Sequence, residues 1–346
     1  MVSERQPRAP ASTALSTTIG DQAAALHRDA LVWDMTLPWE PGLPDWDGTL
    51  PRYRAAGVDF VSLTVNDHAG TLAGTMLHIA ACKAQIRRRS DRMVLAATVD
   101  DILAAREAGQ MALGFHFQET NPLEGSLELV QLYYDLGVRH MLLAYNRRNR
   151  VGDGCAERTD AGLSRFGVRL IEEMNRVGML VDGSHTGYRT TMEAMEIGTA
   201  PFIFSHANAY SVVPHYRNVR DDQIEACART GGVIGVNGLA PYLDDPEAST
   251  ASIFRHVDHI ASLVGPEHVG IGLDYEKDVD RFVTWTRANP EMWPQSEGKP
   301  RVDWNFAQPE QLPELTELMI RHGYPEAAIR GILGMNFLRV ARQVWK

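Results

Sequence analysis

The chain has 346 residues, of which 44% are hydrophobic and 23% charged, so it can build one large core or two ordinary ones. Its formal net charge of -10 gives it no electrostatic reason to bind nucleic acid or an anionic membrane surface. No stretch approaches the roughly 18 consecutive apolar residues of a membrane-spanning helix, and the 3 cysteines lack the spacing of a disulfide framework or a thiolate metal site.

The beginning of the chain differs in composition from the rest. Residues 1–21 are rich in Ala, Ser, Thr and Pro and lack the apolar block of a secretory signal. This composition predicts a flexible tail at 1–21, followed by a single domain at 22–346. We expect the protein to be cytoplasmic.

Short apolar runs alternate with longer amphipathic segments along the remaining chain. Many of the short runs are apolar throughout, which is typical of strands covered on both faces. The candidate strands are residues 31–36, 58–64, 94–98, 111–118, 140–145, 180–185, 202–206, 233–237 and 269–274. The candidate helices are residues 77–89, 99–108, 127–136, 165–177, 188–197, 221–229, 252–263, 313–321 and 325–344.

Capping residues support several of these helices. Glycines that follow a helix suit a left-handed C-terminal cap, and aspartates that precede one suit an N-terminal cap. The glycines are Gly137, Gly178, Gly198 and Gly231, and the aspartates are Asp100 or Asp101 and Asp221 or Asp222. Repeated strand-then-helix units imply a parallel sheet, and about eight of them favour a closed (β/α)8 TIM barrel over an open sheet. Residues 275–308 are expected to form a long loop that covers a site.

Polar residues stand at the ends of several apolar strands, where a barrel places its active-site face. The strands that carry them end in His185, His206 and Asp274, and the first strand carries Asp34 and Thr36 on one face. A lone histidine or aspartate in such a position is more often structural. Together, however, imidazole and carboxylate groups are the usual ligands of catalytic zinc, so the pattern predicts a shared metal site.

One further strand places His116 and Gln118 on a single face. Gln118 is a weak zinc ligand because its amide is neutral. His116 is either a ligand or a hydrogen-bonded core residue, and the pattern favours the core interpretation.

These residues resemble the renal (membrane) dipeptidase family of zinc metallopeptidases, in the amidohydrolase superfamily. The most specific stretch is FIFSHANAYS at 202–211, followed by RNVRDD at 217–222. Further matches lie at residues 37–39, 162–167, 175–185, 258–260 and 268–274, so the resemblance extends from about Leu31 to the C-terminus. It implies an amidohydrolase-type barrel, a dipeptide or other small-molecule substrate, and a homodimer.

The resemblance also implies roles for individual residues. In the family, two zinc ions share a bridging carboxylate and a bridging water. His185 and His206 match the two histidines that hold one zinc, and Asp274 matches the aspartate that handles the proton of the attacking water. Arg217 matches the arginine that binds the terminal carboxylate of the substrate, a task that suits its planar charged fork.

Three departures from the family pattern bear on the metal site. The family's first His-x-Asp pair is replaced by Asp34-Met35-Thr36, and its bridging glutamate by Gln118, with Glu119 on the other strand face. The family's substrate-binding histidine is replaced by Tyr145. Because two zinc ions need several anionic ligands, we expect one zinc, at His185 and His206 with help from Asp34, Gln118 or Asp274. An empty site is the alternative.

We therefore expect a metal-dependent hydrolase that cleaves a dipeptide or related small amide. Asp274 is the expected general base, Tyr145 the donor to the developing oxyanion and a substrate contact, and Arg217 the carboxylate clamp. Two alternatives stay open because one barrel hosts many chemistries. The first is a different reaction on a small carboxylate-bearing metabolite, and the second is a catalytically inactive ligand-binding homologue.

Overall fold

The structure is a computed structural model, and it describes residues 19–67, 69–294 and 303–346. All nine predicted strands are present and parallel. They are β1 (Val32–Pro38), β2 (Val58–Asn66), β3 (Met93–Leu95), β4 (Met111–Phe117), β5 (Val138–Leu142), β6 (Leu180–Asp182), β7 (Ile203–Phe204), β8 (Val233–Val236) and β9 (Val269–Ile271).

Eight of the strands close into a ring. The order is β1, β2, β4, β5, β6, β7, β8 and β9, and a pairing between β9 and β1 completes the circle. The short strand β3 stands outside this ring, because it pairs with the start of β4 at Met111, whereas β5 pairs with β4 only from Phe115 onward. The prediction of a (β/α)8 barrel is confirmed.

The helices lie between the strands and after the last one. They are α1 (Asp21–Asp29), α2 (Thr49–Ala55), α3 (Leu72–Arg88), α4 (Val99–Glu107), α5 (Glu128–Asp135), α6 (Arg165–Val177), α7 (Tyr188–Ile197), α8 (Asp221–Arg229), α9 (Ala240–Leu243), α10 (Thr250–Val264), α11 (Val279–Ala288), α12 (Leu312–Arg321), α13 (Glu326–Arg330) and α14 (Asn336–Val344). Helices α1, α2, α9 and α11 are not among the predicted ones. None of the helices in the described part of the chain has the length and apolar character needed to cross a bilayer.

Several predicted boundaries are wrong. The predicted tail at 1–21 falls outside the described residues except for its last three, and Asp21 already begins α1. The predicted loop at 275–308 contains α11, and its portion at 295–302 lies outside the described residues. The predicted helix at 325–344 is divided by a π-helical turn at Gly331–Met335. At that turn a side chain on Gly334 would lie 2.4 Å from the carbonyl oxygen of Leu31, so the helix passes very close to β1.

The capping predictions hold only in part. Gly137, Gly178 and Gly231 have the positive φ of a left-handed cap, but Gly198 is extended at φ -65°. The residue that caps α4 is Thr98, and Asp101 completes a capping box by accepting from the Thr98 backbone amide. For α8 the N-terminal cap position is occupied by Arg220 rather than by an aspartate.

The hydrophobic core has two parts. The larger part packs the helices against the strands and includes residues of nearly every element. The smaller part ties β1 and β2 to α14 through Trp33, Phe60 and Phe337, and the ring centroids of Trp33 and Phe60 are 4.0 Å apart. This packing holds the strands of the barrel in place. Because the strands are parallel, the loops that follow them lie together at one end of the barrel.

Candidate active site

The loops that follow β6, β7 and β9 bring three predicted ligands together. One nitrogen of His185, one nitrogen of His206 and one carboxylate oxygen of Asp274 all lie within 4.8 Å of one another. All three side chains are buried, with exposed fractions of 3%, 0% and 9%. The spacing is what a single small cation needs to contact all three.

A left-handed backbone helps to orient these side chains. His185 has φ 63° and Asp274 has φ 56°, a conformation that residues other than glycine rarely adopt. This backbone conformation explains why β6 ends before His185 and β9 ends before Asp274, although the sequence predicts that both residues lie within the strands. The strained peptides are anchored, because the carbonyl oxygen of His185 accepts from Cys155 at 2.8 Å and the amide of Asp274 donates to Thr36 at 3.2 Å.

The rings of both histidines are held from behind. Nδ1 of His185 lies 2.7 Å from Oδ1 of Asn146, whose own amide nitrogen donates to the carbonyl of Met292. An amide oxygen can only accept, so Nδ1 of His185 carries the proton and Nε2 keeps its lone pair. Nδ1 of His206 lies 2.7 Å from the hydroxyl of Ser205 and 3.1 Å from that of Thr36.

The electrostatics favour neutral histidines. Burial, followed by the positive charge of Arg217, holds the pKa values of His185 and His206 well below 6.5. Nε2 of His206 is fully buried and has no hydrogen-bond partner in the described residues. A buried nitrogen without a partner is costly unless something binds it. Two neutral imidazoles and a carboxylate form the donor set of a mononuclear zinc site, so the residues fit one metal ion.

Asp34 lies next to this group but not within it. It is fully buried, and its Oδ1 accepts from the backbone amides of Thr36 at 3.2 Å and Leu273 at 3.0 Å, while the hydroxyl of Tyr53 lies close to its carboxyl group. Burial raises its pKa to about 7, and the nearby charge of Asp274 adds to the shift. The three-residue group does not include Asp34, and one of its oxygens is used to join β1 to the loop after β9.

Asp274 belongs to the three-residue group and also lines a cleft at the mouth of the barrel. Its Oδ2 accepts a hydrogen bond from Asn237 at 3.3 Å. Burial raises its pKa to about 6, against the opposing effect of Arg217. A carboxyl group with this pKa can take up and release a proton near neutrality.

Gln118 and Tyr145 line the same cleft as Asp274. The amide of Gln118 donates to Thr64 at 3.2 Å. The ring of Tyr145 stacks on His185 with centroids 4.0 Å apart, and burial raises the pKa of its hydroxyl well above 10, so the hydroxyl keeps its proton. Glu119 is engaged elsewhere, because its two oxygens accept from the backbone amides of Thr120 and Tyr145.

Arg217 lies on the other side of His185. It is 3% exposed, and its Nη2 donates to the carbonyl oxygen of His206 at 3.1 Å. Its Nε has no hydrogen-bond partner in the described part of the chain, and its guanidinium lies 5.3 Å from the ring centroid of Tyr242. A buried guanidinium with an unused donor is suited to binding a carboxylate.

His116 has the hydrogen bonds that the core interpretation predicts. Its two nitrogens contact the hydroxyls of Ser62 at 3.0 Å and Thr64 at 2.9 Å, and its ring stacks on His140 at 4.3 Å. His140 in turn contacts Asp182 at 3.0 Å. These residues form a hydrogen-bonded layer inside the barrel, separate from the three-residue group.

Comparison with known proteins decides the family. The family model described as membrane dipeptidase (peptidase family M19) matches residues 47–285. The chain belongs to this family. An uncharacterised dipeptidase of Schizosaccharomyces pombe is 30% identical over 305 residues, which cover 86% of this chain and 66% of that protein. The dipeptidase tcpJ of Claviceps purpurea is 29% identical over 282 residues, which cover 80% of this chain and 61% of that protein.

A solved structure matches over nearly its whole length. It is an amidohydrolase of Pseudomonas aeruginosa with a TM-score of 0.83 and 30% identity, and the match covers 93% of this chain and 99% of that one. By contrast, the chain spans only 66% and 61% of the two fungal dipeptidases. The match with the bacterial structure shows that this protein and that amidohydrolase have the same barrel fold.

Sequence reasoning did not identify several residues that shape this family member's site. Asn146 orients His185, Glu40 and Glu276 line the cleft, and Trp285 and Trp293 form part of its wall. Asn146 directly follows Tyr145 and Glu40 directly follows Trp39, so their positions just after strand ends were a usable signal. The two tryptophans stand in a segment that was predicted only as a loop.

Proposed function

We propose that this protein is a hydrolase that holds one zinc ion with His185, His206 and Asp274 and cleaves a dipeptide or a related small amide. The observation that carries the proposal is the convergence of these three buried side chains, with Nε2 of His206 lacking a hydrogen-bond partner among the residues that the structure describes. The names of the two fungal relatives support the choice of a dipeptide. Asp34 and Gln118 are the proposed additional metal contacts.

The proposed mechanism assigns different roles to the metal and to the side chains. When bound, zinc supplies Lewis acidity and makes water nucleophilic near neutral pH. Arg217 binds the terminal carboxylate of the substrate through its unused donor. Tyr145, whose hydroxyl stays protonated, donates a hydrogen bond to the oxygen of the amide as negative charge develops there.

Asp274 moves the proton. Its carboxylate takes a proton from the attacking water and passes it to the amine that leaves when the C–N bond breaks. The products are the two amino acids, or a carboxylic acid and an amine. Asn237 holds Oδ2 of Asp274 during this transfer.

Metal removal tests the proposal. The purified chain is treated with a chelator, dialysed, and assayed for amine release from a panel of dipeptides, before and after zinc is restored. We expect activity to disappear and return, to be absent in His206→Gln, and to persist in His322→Gln, an exposed control histidine. Metal-free protein that is as active as the zinc-loaded protein would show that the proposal is wrong.

Assembly and location belong to the same proposal. We infer a homodimer from the family resemblance and a cytoplasmic location from the cysteines, whose spacing is not that of a disulfide framework. Sedimentation of the purified chain tests the dimer, and a single species at the mass of one chain contradicts it.

A further inference from the structure

The mouth of the barrel opens into a cleft of about 110 Å³ that extends away from the three-residue group. Beyond Asp274, its lining combines acidic and aromatic side chains. The acidic ones are Glu40, Asp67 and Glu276, and the aromatic ones include Phe282, Trp285 and Trp293. Arg281 is the one basic residue among the lining residues in the described part of the chain.

Glu40 has a carboxyl oxygen without a hydrogen-bond partner among the described residues. Its Oε2 is fully buried and accepts no hydrogen bond from the described residues. Burial, followed by the charges of Asp67 and Glu276, raises the pKa of Glu40 to about 8. A buried carboxyl group among other acids is stabilised when a cation enters beside it.

Glu276 adds a second carboxylate to the same wall. It is 5% exposed, and its Oε1 accepts from the backbone amide of Asp278 at 2.8 Å. In the described residues neither Glu276 nor Glu40 forms an ion pair within 4.0 Å, and Arg281 forms none either. Among the described residues, Glu40 and Glu276 therefore have no direct contact with a cation, and a cation that binds beside them would stabilise their ionised forms.

The aromatic side chains pack edge to face across this wall. The ring centroids of Trp285 and Trp293 are 5.6 Å apart at an interplanar angle of 78°, and those of Phe282 and Trp293 are 5.7 Å apart at 74°. Trp293 is 7% exposed, and its Nε1 has no hydrogen-bond partner in the described residues. Aromatic faces beside carboxylates attract cations, because the ring quadrupole and the carboxylate charge act in the same direction.

We propose that this wall binds a cationic side chain of the substrate, an ammonium or a guanidinium group, between Glu40, Glu276 and the tryptophans. The inference rests on the proposed function and names the substrate class of the same site. Arg217 does not line this cleft but lies with His185 in a neighbouring one of about 200 Å³. The carboxylate end of a dipeptide therefore lies at Arg217, and the basic side chain belongs to its N-terminal residue.

Two dipeptides that differ only in the side-chain ammonium test the inference. Lysyl-alanine and norleucyl-alanine share the terminal ammonium, the terminal carboxylate and the four-carbon side chain. We expect kcat/KM to favour lysyl-alanine by about tenfold or more, which corresponds to about 1.4 kcal/mol. Glu40→Gln should remove that preference, and Glu107→Gln, an exposed control on α4, should keep it.

A binding measurement separates this inference from the proposed function. Lysinamide and norleucinamide are titrated into the full-length protein while tryptophan fluorescence is recorded, since two tryptophans line the cleft. Preferential binding of lysinamide without hydrolysis of either dipeptide would overturn the proposed function and support the cation site. Equal binding of the two amides, or equal kcat/KM for the two dipeptides, would overturn the cation site. The comparison in the wild type decides the matter even where Glu40→Gln does not fold.

Discussion

Replacing Asp34 by Asn should stabilise the metal-free protein increasingly as the pH rises. Burial raises the pKa of Asp34 from 3.8 to about 7, so the folded chain binds this proton more tightly than the unfolded chain does. The stabilisation that this proton gives is therefore fully present below pH 3.8, the pKa in the unfolded chain. It is lost as the pH rises to about 7, the pKa in the folded chain. At about 1.36 kcal/mol for each pH unit, the loss between pH 5 and pH 7 is about 3 kcal/mol. Asn keeps the acceptor for Thr36 and Leu273 and cannot ionise.

The assay is urea denaturation with a chelator present, at pH 5 and at pH 8, for the wild type and Asp34→Asn. We expect the free energy of unfolding of the variant, relative to the wild type, to increase by about 3 kcal/mol between these pH values. Asp91→Asn, at an exposed position, controls for the loss of a negative charge. A difference that is the same at both pH values would refute the argument that Asp34 is desolvated.

Three further substitutions test separate parts of the account. Arg217→Lys should raise KM for dipeptides by about tenfold and leave their C-terminal amides unaffected, because Lys lacks the planar fork; an equal effect on both substrates would contradict a carboxylate clamp. Tyr145→Phe should lower kcat by about 100-fold in steady-state assays, and an unchanged kcat would rule out a donor to the oxyanion. Gly154→Ala should lower stability by about 2 kcal/mol in thermal denaturation, because its Cβ would lie 2.1 Å from the backbone of Asn146. Gly20→Ala, with its nearest neighbour at 3.4 Å, should not.

The strands were predictable because burial on both faces leaves an unbroken apolar run. The run at 58–64 became β2, which is buried along its whole length, and the helix at 165–177 was predicted to the residue. That helix begins after a serine cap at Ser164 and ends at a left-handed Gly178. Local signals and tertiary packing agree in such elements, so the sequence suffices.

The ends of the strands were not predictable, because they depend on backbone conformation. His185 and Asp274 continue an apolar run in the sequence, but their positive φ takes them out of the strand. The split of the last helix likewise depends on the close approach of Gly334 to Leu31. Helix α11 was missed because its segment is rich in tryptophan and charge, a composition that favours a loop.

The candidate site was predictable in outline, because parallel strands that end in polar residues place those residues at one end of a barrel. The pattern gave His185, His206 and Asp274, which the structure brings together. It did not give the support of His185 by Asn146 or the acidic and aromatic wall around Glu40. Asn146 lies 39 residues from His185 in the sequence, and the wall joins Glu40 to residues more than two hundred positions later, so only the path of the chain in three dimensions brings these residues together.

Zinc content, measured by elemental analysis on protein purified without chelators and dialysed against zinc-free buffer, tests the central claim most directly. We predict about one zinc per chain in the wild type, with loss of that ion in His206→Ala and retention in His322→Ala. A wild-type chain without zinc, or a His206→Ala variant that holds as much zinc as the wild type, would contradict a metal site formed by His185, His206 and Asp274.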